Sequence, residues 1–270
     1  MQDLLAAATE ARGAVVAMNV ILLEHAEAIV GGAERAGRPV VLQVSENTAA
    51  YHGALAPVLG ASLAVADAAG VDVCVHLDHA TRVDLIHEAV ELGVRSVMYD
   101  GSALDHPVNL STTADVTGWC HERGVSVEAE LGEVGGKDGV HAPGARTQPS
   151  EAADFVAATG VDALAVAVGS SHAMTTRDAE LDEGLIATIA AAVPVPLVLH
   201  GSSGVPDAGL VAAVAAGMRK INIATHLNHT FTTAVRAALR DETMVDPRTY
   251  LGPGRSAMAA EVERLLTMLS

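Results

Sequence analysis

The chain has 270 residues, half of them hydrophobic, so it is long enough to bury a large core. Only 2% of the residues are aromatic, and the core must therefore be built from Ala, Val, Leu and Ile. A formal net charge of −17 argues against a nucleic-acid or anionic-membrane partner, whereas a small phosphorylated ligand needs only a local positive site.

Cysteine usage and the N-terminal sequence favour a cytoplasmic protein. The two cysteines, Cys74 and Cys120, give neither a disulfide framework nor a zinc site of the cysteine type. The N-terminus lacks a basic segment followed by an apolar run, and no segment approaches about 18 uninterrupted apolar residues. We therefore expect no signal peptide, no membrane span and a cytoplasmic location.

Short β-branched runs alternate with Ala-rich segments of helical period along the whole chain. The runs predict strands at 14–18, 39–44, 71–77, 94–99, 125–131, 162–168, 196–200 and 218–223. The segments between and after them predict helices at 22–36, 54–69, 83–92, 109–123, 149–159, 207–216 and, after the breaks at Pro247 and 252–254, at 257–269.

Strict alternation of strand and helix implies a parallel sheet with right-handed crossovers. Eight repeats of roughly 25–35 residues fit a closed (β/α)8 TIM barrel, which typically needs about 250 residues. A doubly wound open sheet is the alternative, but it usually has fewer strands and a glycine-rich fingerprint after the first, where this chain has Asn19-Val20-Ile21-Leu22. We predict an α/β protein with one barrel domain over residues 1–270.

Polar residues follow nearly every predicted strand, on the face where such barrels carry their active sites. They are Asn19, Ser45, Asp78 with His79, Asp100, Glu130, Ser170 to His172, His200 and Asn222.

Three of the apolar runs end in a histidine, namely His79, His172 and His200. Three neutral imidazoles with an open fourth position suit a catalytic Zn²⁺. His76 is the competing ligand; it lies deeper on the face of Asp78, and we interpret it as a core or supporting residue. Simple strand alternation places residues 76 and 78 on one face and 77 and 79 on the other. The remaining histidines, including His25, fall on helices or loops, where we expect them to be solvated.

Asp78 has two interpretations beside a ligand histidine. It could orient an imidazole through a hydrogen bond, or act as a general base next to a Lewis-acid metal. Asp100 and Glu130 follow neighbouring strands and could hold a second cation position or balance the charge of the site.

Two loops are typical of a barrel phosphate site, which uses backbone N–H groups and a helix N-terminus after strands seven and eight. They are 201–204, with the sequence GSSG, and 222–225, with the sequence NIAT. The alternative for the first loop is a tight strand-to-helix turn. The glycine-rich segment 131–148 after the fifth strand is a candidate lid.

Six motifs together resemble the class II, zinc-dependent fructose-bisphosphate and tagatose-bisphosphate aldolases. The resemblance runs in order from 18–20 to 246–248, and the combination is far more specific than any one motif. The motifs are HLDH at 76–79, SVMYDGS at 96–102, VEAELGEVGG at 127–136, LAVAVGSSH at 164–172, LHGSSGVP at 199–206 and KINIAT at 220–225.

The resemblance implies a metal-dependent aldehyde-lyase on a (β/α)8 barrel, assembled as a homodimer or homotetramer. Its reaction would be the reversible cleavage of a ketose phosphate, such as fructose 1,6-bisphosphate, to dihydroxyacetone phosphate and an aldehyde such as glyceraldehyde 3-phosphate. By position, His79, His172 and His200 would bind Zn²⁺, and Asp100 and Glu130 would form an alternate metal position.

The resemblance also implies roles in substrate binding and proton transfer. Asp78 would deprotonate dihydroxyacetone phosphate in the condensation direction, and Asn222 would hold the enediolate oxygens. A monovalent cation, Na⁺ or K⁺, is expected near the C1 phosphate. The other substrate-binding positions would be Asn19, Ser45, Gly169, Gly201, Ser203 and Thr225.

Two positions depart from the family pattern. Asp138 stands in a short lid where the family carries adjacent acids, and we expect it to replace the mobile lid acid. Asn228 stands where a basic residue often follows for the distal phosphate, so Arg255 becomes the candidate cation, from the same or a neighbouring subunit. The alternatives left open are an aldolase of this family for tagatose 1,6-bisphosphate, a ketose 1-phosphate or an inositol-derived phosphate, and a non-catalytic sugar-phosphate sensor.

Overall fold

The computed structural model describes residues 1–131, 146–170 and 176–269. Its eight parallel strands pair in chain order, and the last pairs with the first, so the sheet closes into a barrel. The prediction of a (β/α)8 barrel is confirmed, and the open doubly wound sheet is excluded. The strands are β1 Val15–Asn19, β2 Val40–Ser45, β3 Val73–Ala80, β4 Ser96–Tyr99, β5 Ser126–Glu130, β6 Ala163–Ala165, β7 Leu197–Leu199 and β8 Met218–Ile223.

Helices surround the barrel and connect its strands. Within the described residues they are α1 Gln2–Ala11, α2 Leu23–Ala36, α3 Glu46–His52, α4 Ala56–Asp67, α5 Val83–Glu91, α6 His106–His121, α7 Pro149–Thr159, α8 Glu183–Ala192, α9 Asp207–Ala216, α10 Thr225–Ala238 and α11 Pro247–Leu269, with a 3-10 turn at Ser202–Gly204.

The apolar residues form two clusters, one on each side of the strands. The larger fills the layer between strands and helices, where Val16, Leu42 and Leu77 meet α2 and the helices that follow. The smaller lies inside the barrel and includes Val15 and Val41, with Leu5 contributed by α1. Because side chains alternate along each strand, the same strands that build the outer core also deliver polar residues to the barrel interior.

The predicted helix 54–69 is present as α4, Ala56–Asp67, and a further helix, α3, precedes it. Helix α3 ends at Gly53, whose φ of 76° is in the left-handed region that favours glycine. Ser45 begins it, because the Ser45 Oγ accepts a hydrogen bond from the Thr48 N–H at 3.2 Å. Helices α1, α3, α8 and α10 have no counterpart among the predicted helices.

The predicted start of the last helix is also wrong. Helix α11 begins at Pro247 and runs through Pro253 without ending. Gly254 lies where a Cβ would come within 2.8 Å of Val235 and 2.9 Å of Phe231, both on α10. The Gly-Pro-Gly sequence therefore allows close packing of two helices, and that packing offsets the loss of the helix hydrogen bond that the proline cannot make.

The described residues contain no single helix that is long and apolar enough to cross a membrane. The pair α3 and α4 meets the same length and composition criteria together, but it is bent by 116°. Side chains of this pair, such as Leu59, are buried in the core.

His25 does not lie in solvent, as the sequence suggested. It is 4% exposed on α2, and its ring packs edge-on against Phe231 with the ring centroids 4.8 Å apart. The Ile21 N–H points at the His25 Nδ1 at 3.4 Å. Burial lowers the pKa of His25 from 6.5 to about 4, so the ring is neutral in the folded protein.

This burial makes stability depend on pH. As pH falls below 6.5, His25 binds a proton in the unfolded chain, whereas in the folded protein it does so only near pH 4. The stability that the buried neutral ring contributes is therefore complete above pH 6.5 and is lost between pH 6.5 and 4. We expect the free energy of unfolding to fall by up to about 3 kcal/mol over this range through His25 alone. Denaturant unfolding should show a larger loss between pH 6.5 and 4 in wild type than in His25→Gln, and the difference should be up to about 3 kcal/mol.

The matched control is His229→Gln, which changes an exposed histidine of α10 and should keep the wild-type dependence. Parallel pH profiles for wild type and His25→Gln would contradict the burial of a neutral ring at this position.

Candidate active site

A cavity of about 530 Å³ opens at the carboxyl ends of the strands. Its lining contains most of the residues predicted at strand ends. It also contains five residues that were not predicted to belong to the site, namely Glu46, Asn47, Thr81, Ser202 and Ala224. The predicted residues among its lining are Asn19, Ser45, Asp78, His79, Asp100, Gly201, Ser203, Asn222 and Thr225.

A bulge at the end of β3 decides where Asp78 and His79 point. Leu77 pairs with Val97 and Ala80 pairs with Tyr99, so three steps along β3 oppose two along β4. His79 lies within this bulge and has a φ of 47°, in the left-handed region. The expectation that positions 78 and 79 face opposite sides is therefore wrong, because the bulge breaks the alternation and both side chains line the cavity.

His79 is surrounded by acidic groups. Its Nδ1–H donates to the Asp100 Oδ2 at 2.7 Å, and the Glu130 Oε2 lies 3.8 Å from the same nitrogen. Burial of the ring opposes its charged form, but Asp78, the hydrogen bond to Asp100 and the charge of Glu130 prevail and raise the pKa of His79 to about 10. Burial likewise works against the charged form of Asp100, yet the hydrogen bond from His79 and contacts with Ser102 hold the pKa of Asp100 well below its usual range.

His200, at the end of β7, stands against His79. The two ring centroids are 4.7 Å apart and the rings meet edge to face. The His200 Nδ1 lies 3.7 Å from the Glu130 Oε2, and the His200 Nε2 lies 3.0 Å from the Glu128 Oε1. Each ring therefore has one nitrogen within hydrogen-bond distance of a carboxylate that can fix its orientation.

Below these residues, a buried polar layer crosses the inside of the barrel. Glu128 on β5 meets Lys220 on β8 at 2.7 Å, and since these strands are not neighbours, the contact runs through the interior. His76 lies 2.7 Å from the Ser96 Oγ through its Nδ1. Burial and the charge of Lys220 lower the pKa of His76 well below 6.5, which agrees with its interpretation as a core residue.

This layer was not predicted, although the sequence contains a signal for it. Glu128 precedes Glu130 by two positions on β5, and Lys220 precedes Asn222 by two on β8. Residues two apart share a strand face, so both could have been assigned to the interior from the residues already singled out.

Asp78 is held by one oxygen only. The Asn19 Nδ2–H donates to the Asp78 Oδ2 at 3.0 Å. The buried Asp78 Oδ1 has no hydrogen-bond partner within the part of the chain that the structure describes, and the same holds for the Asn222 Oδ1. Buried polar atoms are normally paired, so these two oxygens face a space suited to a ligand.

The loops after β7 and β8 meet at Ser203. Its Oγ accepts the N–H groups of Ala224 at 3.3 Å and His226 at 3.2 Å, which ties the 3-10 turn to the start of α10. Gly201 begins the turn with a φ of 66°. Backbone N–H groups at a helix start, next to a glycine-rich turn, form a site suited to anions.

Gly169, after β6, is closely packed. Its φ is 125°, and a Cβ there would lie 2.3 Å from the Glu180 carbonyl oxygen, so only glycine fits. The neighbouring Ser170 Oγ–H donates to the His200 carbonyl oxygen at 2.6 Å. This bond holds the loop after β6 against the end of β7.

Two predicted site residues, Asp138 and His172, and most of the candidate lid lie outside the described residues. Arg255 does not line the cavity of its own chain; its Nη1–H donates to the Glu27 Oε2 on α2 at 2.5 Å.

The arrangement fits a metal ion. The ligand atoms of Asp78, His79 and His200 all lie within 4.8 Å of one another, as do those of His79, Asp100 and Glu130. Imidazole nitrogens and carboxylate oxygens are ligands that zinc accepts, and the unpartnered Asp78 Oδ1 lies beside them.

Comparisons with known proteins give the same direction. Residues 1–270 match the family described as class II fructose-bisphosphate aldolase. The chain is 38% identical over 267 residues to the fructose-bisphosphate aldolase of Geobacillus stearothermophilus, covering 97% of this chain and 93% of that protein.

Two solved structures are similar along their whole length. The YdjI aldolase of Escherichia coli K12 shares 29% identity with a TM-score of 0.87, covering 100% of this chain and 96% of its own. A putative fructose-1,6-bisphosphate aldolase of Coccidioides immitis shares 29% identity with a TM-score of 0.87, covering 99% and 94%.

The closed barrel, the polar cavity at its carboxyl face and these matches define a metal-dependent aldehyde-lyase that acts on sugar phosphates. The chain belongs to the class II fructose-bisphosphate aldolase family.

Proposed function

We propose that the chain is a single-domain, zinc-dependent aldolase that cleaves a ketose phosphate reversibly to dihydroxyacetone phosphate and an aldehyde. Fructose 1,6-bisphosphate, which would give glyceraldehyde 3-phosphate, is the first substrate to test. The observation that carries the proposal is the convergence of Asp78, His79 and His200 beside a loop pair suited to phosphate.

The C1 phosphate is bound by the loops after β7 and β8. Gly201 and Ser203 lie on one side, Asn222 and Thr225 on the other, and all four line the cavity. In a chain with a net charge of −17, the N-terminus of α10 supplies local positive potential without a charged side chain. Gly169 holds the neighbouring loop in place, and a monovalent cation, Na⁺ or K⁺, assists near the phosphate.

Asp78 is the proton-transfer group. The Asn19 N–H fixes its Oδ2 and leaves the Oδ1 to take a proton from C3 of dihydroxyacetone phosphate during condensation. In cleavage the same oxygen returns that proton. Asn222 faces the same space with its Oδ1 oxygen and orients the substrate oxygens through its amide, while Asn19 and Ser45 line the opposite wall.

His79, His172 and His200 would hold Zn²⁺, and Asp100 and Glu130 would provide an alternate position next to His79; the ligand atoms of His79 lie within 4.8 Å of those of His200, Asp100 and Glu130. When bound, the ion supplies Lewis-acid polarisation of the substrate carbonyl, which makes the adjacent C–H bond more acidic. Asp138 serves as the mobile acid of the lid. A homodimer or homotetramer and a cytoplasmic location remain predictions of the sequence.

A second candidate substrate class is favoured by the far side of the cavity. A recess of about 340 Å³ adjoins it, and its lining residues carry no cationic side chain in the described part of the chain. Glu46, on the neighbouring wall, adds a carboxylate. These surroundings suit the neutral end of a ketose 1-phosphate and offer no charge-assisted contact to a second phosphate. The lining of the recess consists of Asn19, Ile21, Ser45, Asn47, Thr48, Tyr51, Ala224 and Asn228.

The metal assignment predicts that His200→Ala purifies with little zinc and without aldolase activity. The fold should persist, since the apolar clusters that carry stability do not include this ring. Metal analysis of the purified protein, with circular dichroism alongside, measures both. Retention of full zinc content by His200→Ala would remove His200 from the ligand set.

The proton-transfer assignment predicts that Asp78→Ala keeps its zinc but exchanges the C3 proton of dihydroxyacetone phosphate at least about 100-fold more slowly. Exchange into deuterated solvent isolates this step from carbon–carbon cleavage. Asp84→Ala, which removes an exposed carboxylate on α5, is the matched control and should behave as wild type. Undiminished exchange in Asp78→Ala would show that another group moves the proton.

The two ends of the substrate should respond differently to mutation. Ser203→Ala should lower kcat/KM for every substrate, because its Oγ joins both phosphate loops. We expect wild type to prefer fructose 1,6-bisphosphate over fructose 1-phosphate by less than about 100-fold, or about 3 kcal/mol.

Arg255→Ala should reduce that preference further if Arg255 of a neighbouring copy reaches the recess. A larger preference in wild type that Arg255→Ala leaves unchanged would mean that another cation binds the distal phosphate.

A further inference from the structure

Lys220 and Glu128 form an ion pair in the middle of the barrel, away from solvent. Lys220 is fully buried and Glu128 is 3% exposed, and the Lys220 Nζ–H donates to the Glu128 Oε2 at 2.7 Å. Lysine and glutamate are rarely buried to this degree. Removing two charges from water is expensive, and an apolar pair of similar volume often stabilises a core as well or better. Stability alone is therefore a poor explanation for this pair.

The second oxygen of the same carboxylate leads to the proposed metal site. The Glu128 Oε1 lies 3.0 Å from the His200 Nε2, and His200 is itself 4% exposed. Because an ionised carboxylate only accepts hydrogen bonds, the His200 Nε2 must carry the proton. The Nδ1 then presents its lone pair on the side where Glu130 lies, 3.7 Å away. This contact thus sets the tautomer of His200 and helps to orient its ring.

Lys220 fixes the carboxylate that makes this contact. Without the ammonium group, Glu128 could turn toward the His76 Nε2, which lies 3.9 Å from its Oε2. The Lys220 Nζ, fully buried and bonded to Glu128, does not line the cavity and so does not contact substrate. Three strands, β5, β7 and β8, supply the three members, so their spacing is set by the barrel.

We propose that Lys220 and Glu128 are positioning residues for the metal site: the buried ion pair holds the His200 ring in the tautomer and orientation that binds zinc. The inference rests on the proposed zinc aldolase and adds two residues to it that touch neither metal nor substrate. Partners of ligand histidines typically change metal affinity by about 10–100-fold when they are removed.

The test compares two double variants, because removing both charges leaves no lone buried ion. In Glu128→Leu with Lys220→Met, His200 loses its acceptor; in Glu128→Gln with Lys220→Met, a neutral acceptor oxygen remains. Zn²⁺ alone is the probe, and its Kd is measured on metal-free protein by competition with a chelator of known affinity. Thermal unfolding of the metal-free variants reports stability separately.

We expect the Kd for Zn²⁺ to rise about 10–100-fold in the leucine variant and to recover most of that loss in the glutamine variant. Ser96→Ala is the matched control, since it disturbs the same layer through His76 without removing either charge; its Kd should stay within about threefold of wild type. Wild-type affinity in both double variants would overturn the inference, whatever their stability.

Should the leucine variant fail to fold, Lys220→Met alone decides, because Glu128 keeps its oxygens but loses the group that fixes them. Weaker Zn²⁺ binding there supports the proposal, and wild-type binding contradicts it. Failure of the proposed function is distinguishable, because wild-type protein would then bind no zinc or show no aldol cleavage, whereas failure of this inference alone leaves both intact.

Discussion

The geometry of the site depends on the bulge at the end of β3. A regular strand would direct Asp78 and His79 to opposite faces, one into the cavity and one into the outer core. The extra residue, with His79 at a φ of 47°, brings both into the same cavity. A left-handed backbone costs a non-glycine residue roughly 1–2 kcal/mol, and the charge-assisted hydrogen bond to Asp100 is of a size to offset it.

Charge is distributed unusually for a protein that acts on phosphates. The chain carries a net charge of −17, and acidic side chains gather under the cavity, where histidines and one buried lysine face them. In the proposed function, the anion is left to the N-terminus of α10 and the turn before it, which are joined through Ser203. A positive site made of backbone dipoles binds phosphate without adding a cation that would pair with the carboxylates below.

Much of this was predictable from sequence, because strands in a barrel are periodic and their ends share one face. All eight strands and the grouping of Asn19, Asp78 and Asn222 follow from that rule. The rule fails where local geometry departs from the period. The bulge at His79 has no signature in residue type. Pro253 is typical of a helix end, but packing against α10 keeps the helix intact. Long-range partners are equally hidden, since the pairing of Glu128 with Lys220 requires knowing which side chains meet across the barrel.

We propose that the bulge lets His79 and His200 bind one metal ion while Asp78 remains free to move a proton. A crystal structure of the zinc-loaded protein, with an anomalous difference map recorded at the zinc edge, tests it most directly. We expect a single peak about 2.0–2.1 Å from a nitrogen of His79 and a nitrogen of His200, with His79 still in the left-handed region and the Asp78 Oδ1 unbound to the metal. A peak elsewhere, or a regular β3 with His79 turned out of the cavity, would contradict it.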